Sequence, residues 1–417
     1  MTIRDRAARM KVVVGVAFAG LFVTACGAAV SGDDAGDAGA LSNTTGSSEV
    51  TTSVPDPSAP ATSAFPVGPS ALDDMRDDRF PDPLVDLTQI ISGGPPPDGI
   101  PPIDVPRFLP ISENLEFLPA NEPVVALEIN GDARAYPIRA LVWHEIVNDV
   151  VGGIPVTVTY CPLCNSAATY DRRINGAETT FGTSGLLFAS ALVMYDRATE
   201  SLWTHFDGEA VVGVLTGARL EEYPSPLLSW GDFRSAYPTG QVLDFEASGF
   251  DRDYGRNPYR GYDAEGNTPF LFRGALDDRA LAMQRVVGIE AGDASSAFSL
   301  SAVSGGEGRA TMAEVGSTRV AIFWVPGQSS ALDTSAITEG RDVGSVGVFA
   351  PELDGRTLTF AFEDGGFVDE ETGSTWTITG EAIDGELSGS RLERLPHLDT
   401  FWFAWSTYQP GTELIGS

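Results

Sequence analysis

Hydrophobic positions in this chain come in short, interrupted runs. PVVALEI, IPVTVTY, ALVMYD, RVAIFWV and TLTFAFED are β-branched or aromatic, and each closes near Gly, Asn, Asp or Pro. Runs of that length and chemistry predict strands. EINGDA holds Asn130-Gly131, the signal of a two-residue hairpin turn. Helical spacing is confined to PIRALVWHEIVND and to short turns near LSWGDFRSAYP and TFWFAWSTYQP. GGPPPDGIPPIDVPRFLPIS (93–112) cannot supply a central strand, because proline donates nothing to a ladder. The expected fold is mainly β with a few short helices.

The pattern also recurs within the chain. GEAVVGVLTGARL (208–220) aligns without gaps to GEAIDGELSGSRL (380–392), and the same spacing sets Pro224, Trp230 and Pro238 opposite Pro396, Trp402 and Pro410. DRATESLW (196–203) matches DEETGSTW (369–376), and VTVTYCPLCNSAATYD (156–171) lies opposite VAIFWVPGQSSALD (320–333). The reading is two tandem copies of one β-rich unit packed together, at 122–243 and 284–417. A Pro-rich lead-in (76–121) precedes them, and a Tyr/Arg-rich connection (244–283) joins them. The repeated tryptophans and glycines are expected to be core and turn residues.

The N-terminal pattern is different. Arg4, Arg6, Arg9 and Lys11 precede the apolar run VVVGVAFAGLFVTA, which is too short to span a bilayer comfortably and reads as a secretory signal. VTAC resembles a bacterial lipobox, which implies cleavage of residues 1–25 and a lipid on Cys26. Residues 26–75, rich in Ser, Thr, Gly, Ala, Asp and Pro, read as a disordered tether. The expected location is extracytoplasmic, anchored to the membrane through Cys26.

Charge narrows the partners. With 26 basic and 58 acidic residues the formal net charge is −32, and such a surface repels nucleic acid. No phosphate-binding Gly loop, Gly-x-Ser-x-Gly elbow or His-Glu-x-x-His stands in the sequence. No nucleotide cofactor is expected, and the sequence points to no particular protein partner.

Candidate chemistry centres on Cys161 and Cys164. The second copy has Val-Pro-Gly-Gln where the first has Cys-Pro-Leu-Cys, so the scaffold does not need sulfur there. Three readings remain open. One is a structural pair, although a disulfide closing so small a loop removes little chain entropy. Another is a dithiol/disulfide centre, for which Cys-x-x-Cys is the usual spacing. The third is a metal site: Cys161 and Cys164 with His144 from LVWHEIVND and His205 from SLWTHFDG as a weaker fourth ligand, with Glu145 beside His144 either supporting that histidine from behind or simply a solvated carboxylate. Soft sulfur with imidazole suits copper before zinc. Haem is disfavoured, since Asn165 stands where a histidine should follow.

DGIPPID, VVALEINGDARAYPI, WHEIVNDVVGGIPVTVTYCPLCNSA, FGTSGLLFASALVMYDRATESLW and YGRNPY resemble the bacterial family called domain of unknown function 3179, over roughly residues 85–415. The resemblance implies that His144, Cys161 and Cys164 belong to a recurrent motif block, and that His205 departs from the family pattern. It brings no activity. The first functional expectation is a tethered lipoprotein holding a copper or zinc ion for storage, delivery or electron transfer. The alternatives are a thiol-disulfide oxidoreductase using Cys161 and Cys164, and a non-catalytic scaffold or ligand-binding lipoprotein using the Tyr/Arg-rich loop FDRDYGRNPYRGYD (250–263).

Overall fold

The computed structural model describes residues 65–112 and 118–416. The signal segment, Cys26 and the tether as far as residue 64 lie outside the described residues. Residues 65–75, expected to belong to the tether, are packed instead. Ala71 is buried with Val193, Leu202 and Val212, and Leu72 and Met75 cover the same cluster. The Ala71 N–H also reaches the Glu200 carbonyl at 3.2 Å. Three apolar side chains in a polar stretch are enough to fix it.

The described part is mainly β, with four short α-helices. In the first half, strand β1 (Pro123–Ile129) turns into β2 (Asp132–Pro137) across Asn130-Gly131, whose φ values of 52° and 81° are those a tight hairpin demands. Helix α1 (Ile138–His144) follows. It is shorter than its hydrophobic spacing suggests. Glu145 takes a φ of 58°, and the β-branched run beyond it forms strand β3 (Ile146–Val151). Strands β4 (Ile154–Cys161) and β5 (Ser166–Asp171) extend that sheet. A four-stranded meander comes next: β6 (Phe181–Phe188), β7 (Ala191–Asp196), β8 (Leu202–Thr204) and β9 (Ala210–Val212).

The second half shows the same strand orders. Strands β10 (Arg285–Ala291) and β11 (Ala294–Ser299) form a hairpin flanked by Leu398–Phe401 and Glu413–Ile415, as β1 and β2 are flanked by Leu227–Ser229 and Gln241–Leu243. In both sheets the last-named flanking strand is parallel to its neighbour. Strands β12 (Arg309–Val315), β13 (Thr318–Val325) and β14 (Ser345–Ala350) match β3, β4 and β5. The meander recurs over residues 360–384.

One buried motif shows why DRATESLW and DEETGSTW look alike. The Asp196 carboxylate accepts from Trp203 Nε1 (3.0 Å), from the Thr199 N–H and hydroxyl (2.7 and 2.8 Å) and from the Ser201 N–H (3.2 Å). Asp369 accepts the same set from Trp376 (2.9 Å), Thr372 and Ser374. A carboxylate can be buried when its acceptor sites are filled in this way. The two tryptophans are core, as expected.

Two sequence expectations meet the sheets differently. Phe108–Pro110 forms a strand, but at a sheet edge, where its proline costs no ladder bond. VPGQSS does not turn like CPLCNS. Val325 pairs with Ser345, and residues 326–344 leave the sheet between them, whereas Cys161 pairs with Ser166 directly.

Candidate functional site

The site follows from the β4–β5 register. Thr159 lies opposite Ala168, and Cys161 opposite Ser166. Side chains alternate across a strand, so these four share one face. That face meets β7 and the residue just after β8. The Leu192 N–H points at Cys161 Sγ, 3.4 Å away. His205 lies between the two hydroxyls, with Nδ1 2.7 Å from Thr159 Oγ1 and Nε2 2.8 Å from Ser166 Oγ. Ser166 Oγ is in turn 3.0 Å from Cys164 Sγ.

The turn carrying the sulfurs is held from several sides. Asn165, at φ 53°, accepts from the Tyr160 hydroxyl (3.2 Å) and donates to the Asp399 carbonyl (3.2 Å). The Cys164 carbonyl accepts from the Thr400 hydroxyl (2.7 Å) and the Phe401 N–H (3.1 Å). From the connection between the halves, the Tyr262 hydroxyl donates to the Leu163 carbonyl (3.0 Å) and accepts from the Phe270 N–H (3.1 Å). Asn165 suits this turn because its short amide tolerates the left-handed region.

Both cysteines are free and buried. Their electrostatics nevertheless differ. Burial by itself would raise the Cys161 thiol, but hydrogen bonds from the Cys164 thiol and from the backbone N–H groups of Leu192, Cys164 and Leu163 outweigh it, so Cys161 lies below its ordinary value. Burial and the neighbouring Cys161 sulfur push Cys164 well above its own. The arrangement makes Cys161 the more acidic of the two thiols and Cys164 the less acidic.

His144 is not at this site. Its Nδ1 is 2.7 Å from the Pro101 carbonyl and its Nε2 is 2.7 Å from the Tyr254 hydroxyl, under the ring of Phe250. Both ring nitrogens are thus engaged elsewhere. The reason is local: α1 ends at His144, and the positive φ of Glu145 sends successive side chains to different sides of the chain. Glu145 is the residue that senses the sulfurs. Burial and then the Cys161 charge push its carboxyl well above the usual range. His205 stands behind Ser166, and burial pushes its pKa down to about 3. Among the described residues no three His, Cys, Asp or Glu side chains stand where they could share an ion. The donor set expected for copper or zinc does not fit this arrangement.

The Tyr/Arg-rich stretch serves the seam between the halves. Asp263 is fully buried and takes Arg285 Nη2 (3.2 Å), Arg341 Nη1 (2.9 Å) and the Ser330 hydroxyl. Tyr254 holds His144, and Tyr262 holds the sulfur turn.

The family profile described as Protein of unknown function (DUF3179) matches residues 97–412. The chain belongs to that family. The DUF3179 match takes in the sulfur turn, His205 and the whole second half. No curated protein and no solved structure matches the chain.

Ser166 and Thr159 escape sequence reasoning. Ser166 reads as part of a turn present in both halves, and Thr159 as a β-branched strand residue. The signal that could find them is the hairpin register, which sets the polar positions 159, 161 and 166 on one face once residues 162–165 are taken as the turn.

Proposed function

We propose that this protein is a thiol–disulfide redox protein working through Cys161 and Cys164, held outside the cytoplasm by a lipid on Cys26. The observation that carries the reading is a pair of free sulfurs three residues apart in unlike surroundings, with a backbone N–H from Leu192 aimed at Cys161 Sγ (3.4 Å) and the Ser166 hydroxyl beside Cys164 Sγ (3.0 Å). An inert buried pair has no need of that asymmetry.

In the oxidising direction for the protein, the Cys161 thiolate attacks one sulfur of a partner disulfide, R–S–S–R′. The Cys161–S–R bond forms and R′–S⁻ leaves with the electron pair. Cys164 then attacks Cys161 Sγ, the mixed disulfide breaks, and R–S⁻ leaves. The protein ends as the Cys161–Cys164 disulfide, and the partner gains two thiols after proton uptake. Both sulfurs are buried, so this exchange requires the turn to open from its bonds to Tyr262 and Thr400.

A redox titration of the purified protein tests this. A reversible two-electron couple above about −230 mV supports an exchanging pair. A bond that resists reduction below about −300 mV marks a structural disulfide and removes the reading.

A further inference from the structure

Behind Cys164 the protons can be placed one by one. The Ala168 carbonyl only accepts, so the Thr159 hydroxyl donates to it, at 2.8 Å. Thr159 Oγ1 therefore accepts from His205 Nδ1–H, at 2.7 Å. A neutral imidazole carrying its proton on Nδ1 has Nε2 as an acceptor, and the Ser166 hydroxyl lies 2.8 Å from it. Ser166 Oγ then turns a lone pair toward Cys164 Sγ, at 3.0 Å. Cys164, Ser166 and His205 are all fully buried, so solvent does not compete for these bonds. The other oxygen near the sulfur, the Cys161 carbonyl at 3.8 Å, is no base.

We propose that Ser166, held in place by His205, orients and polarises the Cys164 thiol for its attack during resolution of the mixed disulfide. The inference rests on the redox reading of the cysteine pair. Once Cys161 is tied up in the mixed disulfide it no longer accepts from Cys164, and the Cys164 S–H turns to the Ser166 Oγ lone pair, while the Ser166 proton stays on its bond to His205 Nε2. The Cys164–Cys161 bond forms, the Cys161–SR bond breaks, and R–S⁻ leaves with the electron pair. The Cys164 proton is taken up by the leaving thiolate, so R–SH departs and His205 stays neutral throughout. Ser166 touches the reacting sulfur. His205 is the positioning residue, acting through Ser166.

The test uses dithiobisnitrobenzoate, which releases one coloured thiolate when Cys161 attacks and a second when Cys164 resolves. In Ser166→Ala and His205→Gln the first phase should stay within about twofold of the native rate, while the second slows by about tenfold or more. His205→Gln removes the ring nitrogen that sets the direction of the Ser166 hydroxyl, so slowing there shows that this orientation matters. A second phase unchanged in both variants overturns the inference and leaves the redox reading intact. Absence of both phases in the native protein sinks the redox reading itself. Nitrogen NMR of the reduced native protein decides the matter even if the variants misfold: a proton on Nδ1 and a bare Nε2 are expected, and a protonated Nε2 overturns the inference.

Discussion

Strands β4 and β13 have matching neighbours, yet they hand the chain on differently. After β4, residues 162–165 make a tight turn and Ser166 pairs straight back with Cys161. After β13, residues 326–344 leave the sheet before Ser345 pairs with Val325. The face beneath differs as well. In the first half Thr159 and Ser166 flank His205. In the second half, Phe323 takes the ladder position of Thr159 and Ser345 that of Ser166. Two positions beyond the core tryptophan, Ile378 stands where His205 does. Phe323 stacks on Phe367 at 4.0 Å between ring centroids, and Ser345 is turned to Asp232 of the first half, at 2.6 Å. One ladder thus supports either an aromatic core or a row of hydroxyl, imidazole and sulfur. Burying that polar row costs free energy unless every group is paired, and the fold has an apolar solution at hand. The polar solution therefore points to chemistry rather than to architecture.

The comparison stands on the frames being alike, and the Asp–Trp motifs test that most severely. Asp196→Ala and Asp369→Ala each strand a buried Trp Nε1–H, a Thr hydroxyl and backbone N–H groups. Each should cost about 3 kcal/mol in chemical denaturation. Equal losses support equivalent frames. A large loss in one half beside a negligible one in the other breaks the comparison.

What the sequence revealed follows the same division. Features written in contiguous residues were legible: the Asn130-Gly131 turn, the strand runs, the DxxTxSxW block and the spacing of Cys161 and Cys164. Features that depend on where a side chain is aimed were not. His144 and Glu145 are neighbours, yet His144 is bonded to Pro101 and Tyr254 while the buried Glu145 carboxyl feels the Cys161 charge, a division that follows from the backbone turn at Glu145 and not from the letters. His205 reads as a fourth ligand from a distant strand, but the sheet brings it to Ser166 and Thr159 rather than to the sulfurs directly. The likeness of CPLCNS to VPGQSS is real in letters and absent in pairing. A proline and a serine at equal spacing do not determine whether the next strand begins at once or after residue 344.

His205 offers the next test. Its pKa in the folded protein is about 3, below the ordinary value of 6.5, because burial disfavours the cation. The unfolded chain therefore binds a proton near 6.5 that the native state refuses until much lower pH. Stability from this source is present above pH 6.5 and is lost as pH falls from 6.5 toward 3. Between pH 7 and pH 5 the loss should be about 2 kcal/mol. Denaturation curves of His205→Gln should lack that increment, while Ile378→Val in the other half should leave the pH dependence unchanged. If His205→Gln shows the native pH dependence, the imidazole is not held neutral as the geometry requires.

The variant with the smallest effect on stability bears most directly on the sulfur turn. Val325 stands where Cys161 does at the end of the matching strand, so Cys161→Val borrows a residue that this ladder already accommodates. Valine and cysteine are similar in size, and Cys161 sits in the buried apolar cluster with its nearest backbone N–H, that of Leu192, 3.4 Å from the sulfur. The change should therefore alter stability by less than about 1.5 kcal/mol. It should at the same time abolish the first thiolate release from dithiobisnitrobenzoate, because Cys164 is held in its protonated form by burial. A large loss of stability would mean that the sulfur is part of the frame. Persistent reaction through Cys164 would mean that the two thiols are interchangeable, and that the unlike surroundings of the pair do not divide the work between them.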